Sequence, residues 1–309
     1  MKAVILAGGK GTRLAPYTKI LPKPLVPIGD MPILEILLRQ IKRAGIEQVI
    51  LSVGHLAELL QAFFQEGKRF GLKIDYSIEN GPLGTAGPLS LVADQLTETF
   101  LVSNGDVLTT LDIRDLIAAH KRSGATATIA THARSVNIDL GVLQMNDLDE
   151  LTGYIEKPTD DFCVSMGIYV FEPGVLEFIT YNQYLDFPDL VLKLIKAKEK
   201  VMGYRFDGYW QDLGRVEDYE QAVQEFESIR PLIMKEEGSD GVACSISRPG
   251  FRPGRIPGGI GRAKQPLADD GRGYSGVRTP VCGVHRSEAR AGSLECHSCI
   301  TPGLSGAGY

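Results

Sequence analysis

Residues 3–30 read AVILAGGKGTRLAPYTKILPKPLVPIGD, and the opening of this stretch decides the fold. The short aliphatic run at 3–7 predicts a buried strand, because it is bounded at once by glycines. Glycines without a Cβ let backbone N–H groups approach phosphate oxygens closely. Arginine and lysine neutralise the charge that builds up in phosphoryl chemistry. The loop therefore predicts a nucleotide site built for a triphosphate, with these residues: Gly8, Gly9, Gly11, Thr12, Arg13 and Lys23.

Two commoner phosphate loops do not fit this stretch. A Walker loop requires a Lys-Ser or Lys-Thr pair after its second glycine, and none stands here at that spacing. A dinucleotide fingerprint requires a third glycine where this chain has Leu14. A plain turn between a strand and a helix remains as the alternative. Such a turn needs neither Arg13 and Lys23 nor the stiffening prolines at 22, 24 and 27, so the functional interpretation is favoured.

Strand and helix patterns alternate along the first half of the chain. This alternation predicts an α/β fold, with a mixed but mainly parallel, Rossmann-like sheet that is flanked by helices on both faces. Ligands of such sheets bind beyond the carboxyl ends of the strands, where the glycine loop falls. Strands are predicted at 3–7, 48–53, 99–103, 126–131, 139–144, 150–156 and 164–171, and helices at 34–44, 55–66, 87–97, 112–122, 174–180, 187–197 and 215–235.

Composition excludes several classes of protein. The chain has 309 residues with 43% hydrophobic and 23% charged side chains, which is typical of a globular domain with or without an appendage. The chain contains no run of about 18 apolar residues, so the sequence predicts no membrane span. The net charge of −5 argues against wholesale nucleic-acid binding. The first apolar stretch is too short for a secretory signal, so a cytoplasmic protein is expected, and a homo-oligomer is left open.

The composition changes abruptly near residue 236. Residues 237–309 hold 15 of the 35 glycines and four of the five cysteines, without helical or strand periodicity. We therefore predict a catalytic domain at 1–236 and a disordered or non-native tail at 237–309, whose deletion should leave activity unchanged. The alternative is a zinc site in the tail, because Cys282-x-x-His285 and Cys296-x-x-Cys299 have knuckle-like spacing.

Acidic residues follow two further predicted elements. Asp106, in Asn-Gly-Asp, comes directly after an apolar strand, where a carboxylate can hold a divalent cation. A turn with the aspartate as a backbone cap fits this segment as well. Asp212 follows Trp210-Gln211 just before the last predicted helix, where an N-cap is the alternative.

These motifs together resemble those of a known family. Residues 8–14 read G-G-x-G-T-R-L, residues 22–24 read P-K-P, and E-K-P and W-x-D follow in the same order. Over about residues 1–236 the chain resembles the sugar-1-phosphate nucleotidylyltransferases, also called NDP-sugar pyrophosphorylases. The resemblance implies the nucleotide-diphospho-sugar transferase fold and the reaction of a nucleoside triphosphate with a sugar 1-phosphate, which gives an NDP-sugar and pyrophosphate.

The resemblance also implies a role for each matching residue. Arg13 and Lys23 would be catalytic, and Asp106 and Asp212 would bind Mg²⁺. Serine replaces the family's usual asparagine at Ser165. The nucleotide would be bound by Leu6, Ala7, Gly8, Gly9, Gly11, Thr12, Glu79, Gly84 and Thr85, and the sugar phosphate by Gly141, Glu156, Lys157, Ser165 and Gly167.

The motifs favour one pair of substrates. P-K-P-L-V-P-I-G-D together with P-L-G-T-A-G is most similar to mannose-1-phosphate and heptose-1-phosphate guanylyltransferases. A carboxylate at Glu79 suits the N–H donors of guanine, which also favours GTP. Thymidylyl-, cytidylyl- and uridylyltransferases of the same family remain as alternatives. So does a catalytically silent relative, although the residues that such a protein would lose are present here.

Overall fold

The computed structural model describes residues 1–79 and 81–234. The predicted tail at 237–309 lies outside the described residues, so its boundary and nature stay predictions. No helix in the described part of the chain is long and apolar enough to cross a membrane.

The strands give the chain its frame. In chain order they are β1 (Lys2–Ala7), β2 (Pro27–Ile28), β3 (Met31–Pro32), β4 (Gln48–Val53), β5 (Lys73–Ile78), β6 (Phe100–Asn104), β7 (Val107–Thr109), β8 (Ala127–Asn137), β9 (Val142–Met145), β10 (Leu151–Ile155), β11 (Thr159–Phe171), β12 (Val201–Arg205) and β13 (Trp210–Asp212). Seven of them form one sheet in the order β12-β8-β11-β6-β1-β4-β5. β13 pairs with β7, β10 with β9, and β2 with β3, each in an antiparallel ladder.

The seven-stranded sheet is mainly parallel, as the sequence predicts. β1 pairs in parallel with β4 and β6, β4 with β5, and β12 with β8. β11 is antiparallel to both of its neighbours, β6 and β8. The chain first winds from β1 out to β5 and then returns across β1 to β6. Strand order therefore reverses between β1 and β6, and the crevice beside such a reversal is where open α/β sheets bind ligands.

Helices cover both faces of this sheet. The α-helices are α1 (Ile33–Arg43), α2 (Ala57–Phe64), α3 (Ile113–Ser123), α4 (Phe187–Lys196) and α5 (Val216–Ile233). Side chains alternate across a strand, so Ala3 and Ile5 of β1 pack with α1, α2 and α3 on one face. Val4, between them, packs on the other face with α4. Helix α1 ends just before Gly45, whose φ of +80° suits the left-handed position after a helix.

A third apolar cluster attaches the end of the described chain to its beginning. Phe226 and Ile229 of α5 pack against Val26, Ile28 and neighbouring residues of the segment that follows the glycine loop. The Tyr219 hydroxyl donates a hydrogen bond of 2.7 Å to the Pro27 carbonyl. This cluster holds β13, which immediately precedes α5, beside the loop.

Two predicted helices are 3₁₀ helices in the structure. They run over Gly87–Gln95 and Pro173–Phe178, where α-helices were predicted at 87–97 and 174–180. Each has a proline in its first turn. In the first of them the Ser90 hydroxyl also donates to the Gly87 carbonyl at 2.7 Å, a local bond that competes with the α-helical ladder.

Candidate active site

A cleft of about 570 Å³ opens at the carboxyl ends of β1 and β6. Most of its lining residues are those that the sequence singled out. From that set the cleft is lined by Leu6, Ala7, Gly8, Gly9, Gly11, Thr12, Arg13, Lys23, Glu79, Gly84, Thr85, Asp106 and Asp212. The structure therefore brings the predicted catalytic, nucleotide-binding and metal-binding residues into one place.

Two glycines allow the strands' ends to come together here. A Cβ at Gly8 would lie 2.7 Å from Oε1 of Glu79, and a Cβ at Gly105 would lie 3.0 Å from the Leu6 carbonyl oxygen. The Gly105 N–H donates to that same carbonyl at 2.9 Å, which ties the N-G-D segment to the end of β1. A side chain at either position would force these segments apart.

The glycine loop itself is fixed by its own backbone. Gly11 has a φ of +61°, and its carbonyl accepts hydrogen bonds from the Leu14 N–H at 2.9 Å and the Thr18 hydroxyl at 2.7 Å. Leu14 is fully buried, whereas its neighbour Arg13 is exposed and lines the cleft. The loop therefore anchors one side chain in the core and presents the next to the cleft.

Lys23 and Asp106 form an ion pair at the bottom of the cleft. The Lys23 ammonium donates to Oδ2 of Asp106. The Lys23 residue is only 9% exposed, and the Asp106 side chain is 22% exposed. The second oxygen of Asp106, Oδ1, is buried and has no hydrogen-bond partner among the described residues. A buried carboxylate oxygen left in this way has capacity for a further positive ligand.

Asp212 lies beside Asp106 because β13 pairs with β7. The Leu213 N–H donates to the Asp106 carbonyl at 3.2 Å, which joins the two segments across more than a hundred residues. Burial, reinforced by the charge of Asp106, raises the pKa of Asp212 above the ordinary aspartate value, and Lys23 and Arg13 oppose this rise. Arg13 lies close to Asp212, because both side chains approach Gly214. A Cβ placed on Gly214 would lie 3.4 Å from both carboxylate oxygens of Asp212 and 3.6 Å from a guanidinium nitrogen of Arg13.

Glu79 also lines the cleft. It follows β5, and its Oε1 accepts a hydrogen bond of 2.9 Å from the Ser52 hydroxyl. Burial raises the pKa of Glu79 above its ordinary value, although the bonds from Ser52 and the Leu83 backbone lower it in part. The carboxyl group is therefore held in one orientation at the edge of the cleft.

Comparison with known proteins decides the family. The model of the family described as Nucleotidyl transferase matches residues 2–229. The chain belongs to this nucleotidyl transferase family. It is 36% identical to a UTP--glucose-1-phosphate uridylyltransferase of Synechocystis over 243 residues, which are 72% of this chain and 63% of that protein. It is also 36% identical to a mannose-1-phosphate guanylyltransferase of Mycobacterium tuberculosis, over 70% of this chain and 62% of that protein. The chain thus spans just under two thirds of these relatives' length.

Solved structures share the fold of this chain. HddC from Yersinia pseudotuberculosis matches with a TM-score of 0.58 and 27% identity, over 73% of this chain and 99% of that one. The same protein in complex with GMP-PN matches with a TM-score of 0.56 and 26% identity, over the same shares of both chains. The mixed, mainly parallel sheet predicted from the sequence is thereby confirmed.

The predicted sugar-phosphate residues lie apart from the cleft lining. Gly141, Glu156 and Lys157 flank the hairpin of β9 and β10, and none of them lines the 570 Å³ cleft. The Lys157 ammonium pairs with Oδ1 of Asp139 at 2.8 Å, and the Tyr154 hydroxyl donates to Glu156 at 3.0 Å. The sugar role of these residues stays a prediction.

Ser165 and Gly167 lie closer to the cleft. They fall in an irregularity of the β11–β8 ladder between residues 165 and 169. Gly167 has a φ of +74°, and its Cα faces the side chain of Asn104, which lines the cleft. The Ser165 hydroxyl donates to the Tyr169 hydroxyl at 3.1 Å and accepts from the Gly167 N–H at 3.3 Å. Their contact with the sugar stays a prediction.

Several lining residues escaped the sequence analysis. Some had a local signal, because Lys10, Pro24, Pro82, Leu83 and Asn104 stand inside or next to the motifs quoted above. Tyr184 had none, since nothing in the local sequence connects it with the glycine loop.

A second cleft of about 600 Å³ shares Arg13 and Asp212 with the first, and is also lined by His132, Arg134 and Arg215.

The donor set at the bottom of the cleft fits a magnesium ion. Mg²⁺ is usually held by one or two carboxylates together with phosphate oxygens and water. Asp106 and Asp212 supply two carboxylates, and Oδ1 of Asp106 is without a partner among the described residues. The described part of the chain holds no group of three or more His, Cys, Asp or Glu side chains that could bind a metal by itself. Its remaining ligands would have to come from outside these two side chains, as phosphate oxygens and water do for Mg²⁺ in general.

Proposed function

We propose that the chain transfers a nucleotidyl group from a nucleoside triphosphate to a sugar 1-phosphate, giving an NDP-sugar and pyrophosphate. The observation that carries the proposal is the meeting of Arg13, Lys23, Asp106 and Asp212 around the glycine loop. Two polyanions have to approach each other in this reaction. Groups that neutralise charge and align the reactants are therefore the machinery it needs, and no covalent intermediate is required.

Each charged group then has a defined task. Arg13, exposed in the cleft, stabilises the departing pyrophosphate, and Lys23 stabilises the α-phosphate. Asp106 and Asp212 are the residues that would hold Mg²⁺, which supplies positive charge to the phosphate oxygens when bound. The glycine loop offers its N–H groups to the phosphates. The sugar phosphate oxygen attacks the α-phosphorus in line, and the pyrophosphate leaves on the opposite side.

GTP is the favoured nucleotide. The oriented carboxylate of Glu79 is an acceptor, and guanine presents its N1–H and N2–H₂ groups as neighbouring donors. A guanylyltransferase stands among the relatives, and the HddC structure with GMP-PN among the structural neighbours. The uridylyltransferase at equal identity keeps UTP as the alternative, with dTTP and CTP behind it.

Mannose 1-phosphate or heptose 1-phosphate is the favoured acceptor. The support is the likeness to mannose-1-phosphate guanylyltransferases and the motifs shared with the guanylyltransferase branch. In this proposal Lys157 holds the sugar phosphate and Glu156 the sugar hydroxyls, with Gly141, Ser165 and Gly167 beside them. Lys157 would then exchange Asp139 for the incoming phosphate, since the two form an exposed pair that contributes little stability. We further propose a cytoplasmic protein with neither nucleic acid nor a membrane as partner; the net charge of −5 supports the absence of nucleic acid, and a homo-oligomer is left open.

The test is a pyrophosphate-release assay on the full chain. GTP, UTP, dTTP and CTP are each combined with Mg²⁺ and mannose, heptose or glucose 1-phosphate. The expected result is release that requires both substrates and is fastest with GTP. Asp106→Asn should abolish this release, whereas Asp147→Asn, on an exposed turn, should leave it unchanged. Absence of release with every pair would refute the proposed function, and faster release with UTP would correct the nucleotide.

A further inference from the structure

One side of the cleft is built from two segments that lie a hundred residues apart. Residues 82–87, after β5, run beside residues 183–187, which end at the first residue of α4. The Leu185 N–H donates to the Leu83 carbonyl at 3.0 Å. In return the Leu185 carbonyl accepts from the N–H groups of Ala86 at 2.8 Å and Gly87 at 3.0 Å. The loop at 82–87 is thereby attached to a second, distant strip of backbone.

One carboxylate reinforces this attachment. Oδ1 of Asp186 accepts hydrogen bonds from the Thr85 N–H at 2.9 Å and the Thr85 hydroxyl at 3.2 Å. The Thr85 oxygen in turn accepts from the Phe187 N–H at 2.8 Å. Gly84, with a φ of +76°, permits the approach, because a Cβ there would lie 2.6 Å from the Leu185 carbonyl oxygen. Asp186 therefore fixes the position of the predicted nucleotide residue Thr85.

The other oxygen of Asp186 orients an aromatic ring. The Tyr184 hydroxyl donates to Oδ2 of Asp186 at 2.6 Å. Although Tyr184 is 62% exposed, this bond holds its ring at the wall of the cleft. A fixed, accessible aromatic face suits packing against a flat heterocycle or a sugar ring.

The charges in the cleft indicate which part of the nucleotide meets this ring. The cations that line the cleft are Lys10, Arg13 and Lys23, and all three belong to the segment around the glycine loop. The lining residues from 79 to 85, together with Tyr184, include no cation. Phosphates are attracted to the first group, so the nucleoside is left to the second.

We propose that Tyr184 contacts the nucleoside and that Asp186 is a positioning residue for both Tyr184 and the loop at 82–87. This inference rests on the proposed function, because it assumes that a nucleoside triphosphate occupies the cleft. It adds to that function a nucleoside-contacting wall drawn from the segment before α4.

The first experiment measures binding of GTP with Mg²⁺ by calorimetry, without sugar phosphate. Tyr184→Ala should weaken GTP binding about 10-fold or more, and Tyr184→Phe, which keeps the ring but loses its bond to Asp186, should weaken binding less, by about 3-fold. Tyr181→Ala is the matched control, because Tyr181 is 73% exposed in the same segment but does not line the cleft. Binding of inorganic pyrophosphate should be equal in all four proteins, since Tyr184 is assigned to the nucleoside alone.

The second experiment separates positioning from a general loss of structure. Asp186→Ala should raise KM for GTP about 5- to 10-fold and leave KM for the sugar 1-phosphate unchanged. Asp186→Asn retains an oxygen for Thr85 and should recover most of the loss. Asp189→Asn, exposed in the first turn of α4, is the control and should behave as the unmodified chain.

The outcomes distinguish this inference from the proposed function. If the unmodified chain binds no nucleoside triphosphate, both are overturned. If it binds GTP and Tyr184→Ala binds equally well, the nucleoside contact alone is overturned. If Asp186→Ala raises both KM values alike, or Asp186→Asn gives no recovery, the positioning role is overturned.

Discussion

Replacement of Lys23 by methionine tests how the bottom of the cleft is balanced. Methionine approximates the length of the lysine stem but carries no charge. In the unmodified chain, Oδ2 of Asp106 accepts from the Lys23 ammonium, and Oδ1 has no partner among the described residues. In the variant, Oδ2 of Asp106 would lose its donor as well, so both oxygens of this mostly buried carboxylate would lack a hydrogen-bond partner in the described part of the chain. The carboxylate of Asp212 lies next to it.

The expected loss follows from the burial of the pair. Removal of one partner from a buried ion pair costs about 3–5 kcal/mol. The Asp106 side chain is 22% exposed, so the pair is only partly buried. The lower end of this range therefore applies, about 3 kcal/mol. For a domain of this size, each kcal/mol shifts the melting temperature by about 2–4 °C. Lys23→Met is therefore expected to melt about 6–12 °C lower in the absence of divalent ions.

The assay is thermal and urea denaturation of the full chain in EDTA and then in Mg²⁺. If Asp106 and Asp212 hold a cation, Mg²⁺ supplies the charge that the variant lacks, and it should recover about 2.7 kcal/mol at 100 times its Kd. The double variant Lys23→Met/Asp106→Asn should be more stable in EDTA than Lys23→Met alone, because the uncompensated charge is gone. Lys19→Met, at an exposed lysine of the same segment, should change stability by less than about 0.5 kcal/mol.

Two results would refute this reasoning. A loss below about 1 kcal/mol in EDTA would mean that the Lys23–Asp106 pair contributes no more than a surface pair. Equal stabilisation of Lys23→Met and Lys23→Met/Asp106→Asn by Mg²⁺ would show that the ion binds elsewhere.

The remaining predictions concern the loop, the cleft wall and a glycine. Arg13→Ala should lower turnover about 100-fold or more with an unchanged unfolding midpoint, because one preorganised donor to the transition state is worth about 3–4 kcal/mol. Gly84→Ala should destabilise by about 2–3 kcal/mol in urea denaturation, since φ is +76° and the new Cβ would lie 2.6 Å from the Leu185 carbonyl oxygen. Burial raises the pKa of Glu79 above 4.5, so the folded state binds this proton more tightly than the unfolded state. The contribution of Glu79 to the free energy of unfolding should therefore fall as the pH rises from about 4.5 through the raised pKa. In Glu79→Gln, the urea midpoints measured across this pH range should no longer show this fall.

Controls or contrary outcomes decide each of these predictions. Near-normal turnover of Arg13→Ala would remove Arg13 from the mechanism. Gly81→Ala should be nearly neutral, because a Cβ there meets nothing within 4 Å, and equal losses at both glycines would contradict the steric argument. Glu58→Gln, at an exposed position on α2, should keep the pH dependence of the unmodified chain. If Glu79→Gln keeps it as well, the effect belongs to another group.

The amino-acid sequence alone determines the α/β alternation and the chemistry of the loop. Strands at 3–7 and 48–53 and the helix at 34–44 can be predicted because their periodicity is local, and Gly45 ends that helix where a glycine is expected. The glycine loop carries its own signal, since Gly11 adopts a conformation that other residues resist. Local periodicity could not predict the 3₁₀ geometry of Gly87–Gln95. This geometry depends on backbone hydrogen bonds within single turns and on the bond from the Gly87 N–H to the distant Leu185 carbonyl.

Only the tertiary structure decides which of these groups meet. The motif around Asp212 stands far along the chain, and the β7–β13 ladder and the packing of α5 bring it to Asp106. Tyr184 and Asp186 show no motif, yet Tyr184 lines the cleft and Asp186 accepts the hydrogen bond from its hydroxyl. Chemical type is a property of each residue, so the sequence displays it directly. Proximity depends on strand order and burial across the whole domain, and no local pattern encodes those.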